Sequence, residues 1–270
     1  MQPLGVIVEA EEVPHLHVVV CDVRWYLDGR PGREAYEAGH VPGAIFVDLD
    51  RDLTAPPSPE AGRHPLPPAE DFAVALGVLG IGPDDVIVAY DDNGGMSAGR
   101  LVWMLRVLGW EAMLLNGGLQ AWDGPLEAGA VKRPAVDCPV RPWPDGAFVD
   151  IGEVAEHAAT GILIDARGPE RFRGETEPVD PRPGHVPGAR NAPFAANLDE
   201  GRFRSPDDLR GHYTALGVTD AAEVVAYCGS GVSACHDLIA MEHAGLGRGR
   251  LYVGSWSQWS ATDRPASTGP

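Results

Sequence analysis

The chain has 270 residues, of which 44% are hydrophobic and 22% are charged. This composition is typical of a soluble protein with one large domain or two ordinary ones, and it excludes a disordered chain. The formal net charge of −18 argues against binding to nucleic acids and to anionic membranes, since such a surface repels phosphate groups.

The beginning of the chain and its cysteines indicate a cellular compartment. Residues 1–20 lack a basic start and contain early acidic residues, so we expect no signal peptide. No stretch approaches the roughly 20 apolar residues that cross a bilayer. Four cysteines in 270 residues do not form a disulfide framework. We therefore expect a cytoplasmic protein in which an exposed cysteine is a candidate nucleophile.

Four elements in the first half of the chain follow one another in a regular order. An apolar strand is predicted at 17–24, and the motif GHVPGA follows at 39–44. Residues 86–110 predict a buried strand, a glycine-rich loop and an amphipathic helix. The half closes with LLNGGLQAW at 114–122.

The same four elements recur in the same order after a proline-rich stretch at 124–144, which is predicted to be a linker. The second copies are ILIDAR at 162–167, GHVPGA at 184–189, EVVAYCGSGVSACHDLIAMEHAGL at 223–246 and LYVGSWSQW at 251–259. This repeat indicates duplication of one α/β unit. The alternation of strands and helices predicts mostly parallel sheets flanked by helices. We place the domains at 1–134 and 135–270.

The two copies differ at the residue that follows the central predicted strand, which is Asp91 in the first and Cys228 in the second. Cys228 should lie at the carboxyl end of a parallel strand, where open α/β sheets place their sites. The glycines after it let the loop curl its N–H groups inward, and the next helix adds its positive N-terminal end. These features should favour a thiolate, and Cys228 is the predicted nucleophile.

These motifs resemble the rhodanese superfamily over essentially the whole chain. The resemblance implies tandem rhodanese-like domains, an inactive first domain and a catalytic second one. It also implies that Cys228 carries sulfur as a persulfide in a two-step exchange that requires no metal or organic cofactor. Related phosphatases use a Cys-x5-Arg loop, but Ala234 stands where their arginine would lie, so phosphatase activity is excluded.

Family members differ in the loop that follows the cysteine. Members that use thiosulfate typically carry Cys-Arg-Lys-Gly-Val, whereas members that use 3-mercaptopyruvate carry Cys-Gly-Ser-Gly-Val, as this chain does in CGSGVSA. The resemblance therefore implies 3-mercaptopyruvate as the donor. It implies that the donor is contacted by loop residues Gly229, Gly231, Val232 and Ser233.

Further site residues are implied by shorter matches to the family. Arg171, in PERFRG, is the candidate to bind the donor's carboxylate, and Arg182, in VDPRPGH, is a second candidate with altered spacing. The family uses a Ser–His–Asp group to handle the donor's proton. Here Ser230 in the loop, His64 in HPLP and Asp50 in FVDLD match it, which would give the first half of the chain a role in the site.

Several alternatives remain open at this point. Each copy of GHVPGA contains one histidine, His40 in the first and His185 in the second, and both are interpreted as structural. Cys235 is interpreted as a buried helix residue. The donor could instead be thiosulfate, or the protein could be a persulfide carrier or interaction module without its own small-molecule donor. We also expect a small anionic sulfur donor and a cyanide or thiol acceptor, with thioredoxin among the candidates. The protein is expected to be a monomer.

Overall fold

The structure, a computed structural model, describes residues 5–270. Residues 1–4 of the predicted first domain lie outside the described residues. The chain forms two compact units. Within the described residues, the first unit comprises 5–55, 67–144 and 200–202, and the second comprises 56–66, 145–199 and 203–270. A segment from the first half of the sequence, 56–66, therefore packs within the second unit. No helix within residues 5–270 is both long and apolar enough to span a bilayer.

The first unit is built on a five-stranded parallel sheet in the order β1-β5-β4-β2-β3. Its strands are β1 (Ile7–Val8), β2 (Val19–Asp22), β3 (Ile45–Phe46), β4 (Ile87–Tyr90) and β5 (Ala112–Leu115). Its helices are α1 (Gly32–Ala38), α2 (Leu49–Asp52), α3 (Ala69–Val78) and α4 (Ala98–Val107). Short 3-10 turns lie at Val13–His15 and Gly118–Ala121.

The second unit repeats this topology with a parallel sheet in the order β6-β12-β11-β7-β8. Those strands are β6 (Phe148–Val149), β7 (Ile162–Asp165), β8 (Arg190–Asn191), β11 (Val224–Tyr227) and β12 (Arg250–Tyr252); β9 (Leu198–Asp199) and β10 (Arg202–Phe203) form a separate two-stranded ribbon. The helices are α5 (Ile151–Thr160), α6 (Pro169–Phe172), α7 (Pro206–Ala215), α8 (Ser233–His243) and α9 (Ser255–Trp259), with 3-10 turns at Phe194–Asn197 and Ala221–Glu223. The predicted fold class is confirmed.

The central strands of the two sheets explain why the copies share one architecture. Every residue of β4 and β11 is buried, as expected for parallel strands with apolar runs on both faces. Each strand pairs over four residues with its neighbour, β4 with β2 and β11 with β7. A loop and a long helix follow each central strand, so the residue after the strand lies at the carboxyl edge of the sheet.

The repeated GHVPGA motif has a structural role in both units. In the second unit, Arg167 forms an ion pair with Asp165 at 2.7 Å and donates to the carbonyl oxygen of Gly184. The N–H of Val186 donates to the Tyr227 hydroxyl. The first unit holds the same contacts through Asp22, Arg24, Gly39, Val41 and Tyr90. The motif thus links the end of β2 to β4 in the first unit and the end of β7 to β11 in the second.

The two motif histidines take part in the same arrangement. His185 Nδ1 lies 2.7 Å from the carbonyl oxygen of Phe172, and the two rings stack. His40 makes the equivalent bond to the carbonyl of Tyr36 and stacks on its ring. Burial lowers the pKa of His185, which favours a neutral ring. These contacts support the structural interpretation of both histidines.

Residues 124–144, which we call the strap, pack against the first unit as irregular chain. The Val136 N–H donates to the carbonyl of Gly77, and the guanidinium groups of Arg133 and Arg141 donate to the carbonyls of Gly80 and Leu108. The first unit therefore continues to residue 144, beyond the predicted boundary. The prolines and the lack of periodicity predicted an irregular segment. They could not predict these anchoring bonds, because the acceptor carbonyls are brought to the strap only when the first unit folds.

Candidate active site

The Cys228 loop forms a tight cradle at the end of β11. Cys228 is 2% exposed, and the Gly231 N–H donates to its Sγ at 3.1 Å. Gly231 adopts a left-handed φ of +77°, which glycine reaches without a steric penalty. Helix α8 begins two residues later, at Ser233, and directs the positive end of its dipole toward the loop. The sulfur thus lies where backbone N–H groups favour negative charge.

Helix α9 holds this loop from its other side. The N–H groups of Trp256 and Ser257 donate to the carbonyls of Cys228 and Gly229, both at 2.9 Å. The Cys228 N–H donates to Ser255 Oγ at 3.2 Å. Ser255 adopts a φ of +52°, which is uncommon for a residue with a side chain and stores backbone strain. The sequence of the first copy indicates this left-handed conformation, because the residue equivalent to Ser255 there is Gly118, which has a φ of +58°.

A serine–histidine pair lies next to the cradle. His64 Nδ1 is 2.7 Å from Ser230 Oγ, and both residues are buried. His64 reaches the loop because segment 56–66 packs on α9, where Ser257 Oγ accepts the N–H of Arg63 at 3.1 Å. Gly62, with a φ of +87°, permits this approach, since a Cβ there would lie 2.6 Å from the carbonyl oxygen of Gly254. The structure therefore brings His64 and Ser230 together within the second unit.

Two guanidinium groups face the loop at Gly229. A Cβ placed on Gly229 would lie 2.9 Å from Arg63 Nη2 and 3.5 Å from Arg171 Nη1. The sequence predicts Arg171 at the site, whereas Arg63 was missed. Its only sequence signal is its position immediately before His64. Together the two guanidinium groups bring N–H donors close to the Cys228 loop.

Buried carboxylates hold these arginines in place. Asp180 accepts hydrogen bonds from Arg63 and, at 3.0 Å, from Arg171. Glu177 accepts from Arg171 at 2.7 Å and from Arg167 at 3.2 Å. Burial raises the pKa of Asp180, while Arg63 opposes that shift. Neither acid is predicted from the sequence, although ETEPVD follows the arginine segment directly.

Other predicted site residues have different surroundings. Arg182 donates to the carbonyls of Trp259, Ser260 and Arg264, which favours a structural role over donor binding. Asp50 belongs to the first unit, where its carboxylate accepts from Trp25 Nε1 at 3.0 Å. Val232 is buried at the end of the loop, and Ser233 is the first residue of α8.

The remaining cysteines lie in structural positions. Cys235 is fully buried in α8 as predicted, and its thiol donates to the carbonyl of Gly231 at 3.3 Å. Cys21 lies in β2, and Cys138 is a buried residue of the strap. Burial raises the thiol pKa of both Cys21 and Cys138. Neither therefore has the environment of a reactive thiolate.

The equivalent loop of the first unit is closed by its own side chain. The Asp91 carboxylate accepts backbone N–H bonds from Asn93, Gly95, Ser97 and Ala98, at 2.8 to 2.9 Å. The Ser97 hydroxyl adds a fifth bond at 3.0 Å. Asp91 is fully buried. The N–H groups of this loop therefore bind the carboxylate of Asp91, a side chain of the protein itself.

Comparison with known proteins agrees with this arrangement. The chain is 42% identical over 268 residues to the "Probable 3-mercaptopyruvate sulfurtransferase" of Pseudomonas aeruginosa, with 93% of each chain covered. It is 38% identical over 260 residues to the "Putative thiosulfate sulfurtransferase" of Mycobacterium tuberculosis, covering 93% of this chain and 91% of the relative. The solved structure of 3-mercaptopyruvate sulfurtransferase from Leishmania major superposes with a TM-score of 0.86 at 32% identity, covering 97% of this chain and 75% of that one.

The family model gives the same division of the chain as the internal repeat. The model of the rhodanese-like domain matches twice, over residues 11–124 and 150–262. Each match contains one parallel sheet with its central strand, loop and helix. The cysteine is present in the second match alone, since the first has Asp91 at that position. The chain belongs to the rhodanese-like family and carries two copies of its domain.

Proposed function

We propose that this protein is a sulfurtransferase that takes sulfane sulfur from 3-mercaptopyruvate onto Cys228 and passes it to a thiophilic acceptor. The loop around Cys228 supports the first part, because its N–H groups and the α8 dipole favour a thiolate and a persulfide anion. The Ser230–His64 pair, at 2.7 Å, is the single observation that carries the choice of donor.

The reaction with 3-mercaptopyruvate requires a proton to move. The Cys228 thiolate attacks the donor sulfur, an S–S bond forms, and the donor's C–S bond breaks with its electron pair going to carbon. That carbon must gain a proton to become the methyl group of pyruvate, and the donor's thiol must lose one. The products are therefore the Cys228 persulfide anion and pyruvate, with no net proton consumed.

The buried Ser230–His64 pair can relay this proton. A hydroxyl held by an imidazole accepts a proton from one position and returns it at another. Thiosulfate has no such requirement, since attack on it breaks an S–S bond and releases sulfite without proton transfer. The pair thus has a chemical task with mercaptopyruvate that it lacks with thiosulfate. The assignment of Asp50 to this relay stays a prediction from the family resemblance.

Arg171 and Arg63 are proposed to bind the donor's carboxylate and polarise its ketone. Guanidinium groups suit both tasks, because their N–H groups donate to carboxylate and carbonyl oxygens in a fixed plane. Glu177 and Asp180 fix the direction of these groups while leaving Nη atoms near Gly229. An acceptor such as cyanide or a thiol then attacks the outer sulfur, and the Cys228 thiolate leaves.

The first experiment tests Cys228 as the sulfur carrier. After incubation with 3-mercaptopyruvate, intact mass spectrometry should show the gain of one sulfur atom on the wild type and on the control Cys138→Ser. Cys228→Ser should show no gain, and its turnover should fall at least about a thousandfold because the nucleophile is lost. A sulfur gain on Cys228→Ser would contradict the proposal. No gain on the wild type with either donor would favour a carrier that receives sulfur from a partner.

The second experiment tests the proton relay and thereby the donor. Ser230→Ala and His64→Asn should each lower kcat/KM for 3-mercaptopyruvate by about a hundredfold, the ordinary scale of general acid–base catalysis. With thiosulfate the same variants should change kcat/KM by less than about threefold, since no proton moves. Equal losses with both donors would overturn the assignment of the pair to proton transfer.

Thiosulfate is the second candidate donor, favoured by the two guanidinium groups beside Gly229. Two cations suit a dianion, and both lie outside the loop on which the family's donor preference is judged. Arg63→Gln should lower kcat/KM for thiosulfate by about tenfold, the value of one charged hydrogen bond. The matched control is Arg173→Gln, which removes a partly exposed arginine paired with Glu175. Wild-type preference for thiosulfate over mercaptopyruvate would make this candidate the main function.

The remaining expectations concern the acceptor and the state of the protein. We propose a cytoplasmic monomer whose acceptor is a small thiol, cyanide or reduced thioredoxin. A cytoplasmic thiol pool supplies such acceptors and keeps Cys228 reduced. Light scattering on the purified protein tests whether it is monomeric. Turnover measured with each of the three acceptors at a fixed donor concentration shows which acceptor is preferred.

A further inference from the structure

A cavity in the first unit combines positive charge with an apolar wall. Its volume is about 300 Å³. Six of its lining residues matter here: Arg33 and Tyr36 of α1, Phe46 of β3, Arg51 of α2, and Lys132 and Arg133 of the strap. We call it the basic cavity. It belongs to the unit that has Asp91 in place of a cysteine, so sulfur transfer at Cys228 gives it no task.

The charge of the basic cavity is opposite to that of the protein. Four basic residues line it, and none of its described lining residues is acidic, although the chain has 39 acidic residues against 21 basic ones. Such a local positive region concentrates anions from solution. Lys132 is the single lysine of the whole chain.

Two of the four cations are available to a ligand. Arg51 is paired with Asp52 at 2.7 Å, and Arg133 with Asp85 at 3.2 Å. Within residues 5–270, neither Arg33 nor Lys132 has a carboxylate partner. The Arg33 guanidinium instead lies over the Phe46 ring, 4.7 Å from its centre. The Arg33 guanidinium therefore lies between the basic side chains of the cavity, which form its charged rim, and the apolar wall.

The apolar wall is rigid and already formed. The Tyr36 hydroxyl donates to the carbonyl of Ala44 at 2.8 Å and accepts the Val131 N–H at 2.9 Å. Tyr36 and Phe46 are buried, 1% and 6% exposed. A preformed, partly apolar cavity with a few convergent polar groups is the usual form of a small-molecule site, and about 300 Å³ is the lower end of its usual size.

We propose that the basic cavity binds a small organic anion, with its charged group on Arg33 and Lys132 and its apolar body against Phe46. The ligand class is an aromatic or branched aliphatic carboxylate, sulfonate or phosphate ester. Inorganic anions fit the rim but leave the apolar wall unused. The proposal is independent of the identity of the sulfur donor, because the cavity and Cys228 belong to different units.

The test uses 8-anilinonaphthalene-1-sulfonate, an aromatic sulfonate whose fluorescence rises on leaving water, as the probe of the full-length protein. The double variant Arg33→Gln, Lys132→Gln should weaken probe binding at least tenfold. The matched control is Arg30→Gln, Arg248→Gln, which removes two exposed arginines and the same net charge. It should bind the probe as the wild type does. Equal affinity in both double variants would overturn the proposal.

Selective chemistry at the single lysine gives a second measurement on the unaltered protein. Acetylation of Lys132 by an N-hydroxysuccinimide ester, followed by peptide mass spectrometry, should slow at least threefold when the probe is bound. Unchanged acetylation would contradict the proposal even if the double variant misfolded. Competition with 4-phenylbutyrate and phenyl phosphate distinguishes a carboxylate from a phosphate ligand. Displacement by inorganic phosphate at equal concentration would overturn the role of the apolar wall.

Discussion

The loops after β4 and β11 use the same cradle in two ways. In the first unit, the Asp91 carboxylate takes four backbone N–H groups and one hydroxyl. In the second, the sulfur of Cys228 takes one, from Gly231 at 3.1 Å. Gly95 and Gly231 occupy equivalent positions, both with a left-handed φ and both donating to the residue after the strand.

The difference indicates what the Cys228 loop is prepared to hold. An aspartate oxygen is two bonds from Cβ, as is the outer sulfur of a cysteine persulfide. The Asp91 oxygens therefore represent the position and charge of a persulfide in a loop of this fold. The first unit fills its cradle permanently with a carboxylate, whereas in the second the sulfur of Cys228 accepts an N–H bond from Gly231.

The largest expected effect comes from emptying the first cradle. Asp91→Ala should lower the free energy of unfolding by about 3 kcal/mol, because several buried N–H groups lose a charged acceptor. Cys228→Ala should cost about 1 kcal/mol, since a small side chain with one weak bond is lost. Chemical denaturation of both variants measures this difference. Equal losses of stability in the two variants would mean that Asp91 does not stabilise its loop more than Cys228 stabilises the equivalent one.

A smaller effect should follow from filling the second cradle. Persulfide formation on Cys228 places an anionic sulfur near N–H groups that the thiol does not reach. We expect about 1 kcal/mol of stabilisation, or a rise in Tm of about 4 °C, from the added charge-assisted bonds. Thermal denaturation before and after incubation with the donor tests this. The same treatment of Cys228→Ser should leave its Tm unchanged, and a fall in the Tm of the wild type would contradict the comparison.

A buried carboxyl group distinguishes the helices that follow the two loops. Asp237 of α8 is fully buried, its Oδ1 accepts from Asn197 at 2.7 Å, and its Oδ2 has no partner within the described chain. The equivalent residue of α4 is Leu101. Burial raises the pKa of Asp237 well above its usual range. The folded state therefore retains a proton that the unfolded chain releases, and this costs stability as the pH rises above the ordinary carboxyl pKa.

Asp237→Asn should remove that cost while keeping the acceptor for Asn197. At pH 8 the variant should be about 1 kcal/mol more stable than the wild type, with the advantage shrinking toward pH 4. Other titrating groups are common to both proteins, so their difference isolates Asp237. Denaturation at several pH values gives the measurement. A difference that does not depend on pH would rule out titration of this carboxyl as its cause.

Local sequence pattern was enough to predict the fold class and the loop around Cys228. The repeated motifs predicted two α/β units with parallel sheets, because apolar runs and glycine positions encode strands and tight turns. The contrast of Asp91 with Cys228 predicted the nucleophile. The glycines after Cys228 predicted a loop that turns N–H groups inward, and the bond from Gly231 to the sulfur follows that prediction.

The distant side chains that meet at the loop are set by how the folded segments pack. His64 contacts Ser230 across 166 positions of the chain, and the family resemblance alone had suggested the pair. Arg63, Asp180 and the strained Ser255 carried no motif of their own, while Arg182 had a plausible motif and instead binds backbone carbonyls. Local sequence fixes backbone conformation over a few residues, but the packing of whole segments sets which charges and hydroxyls share a buried site.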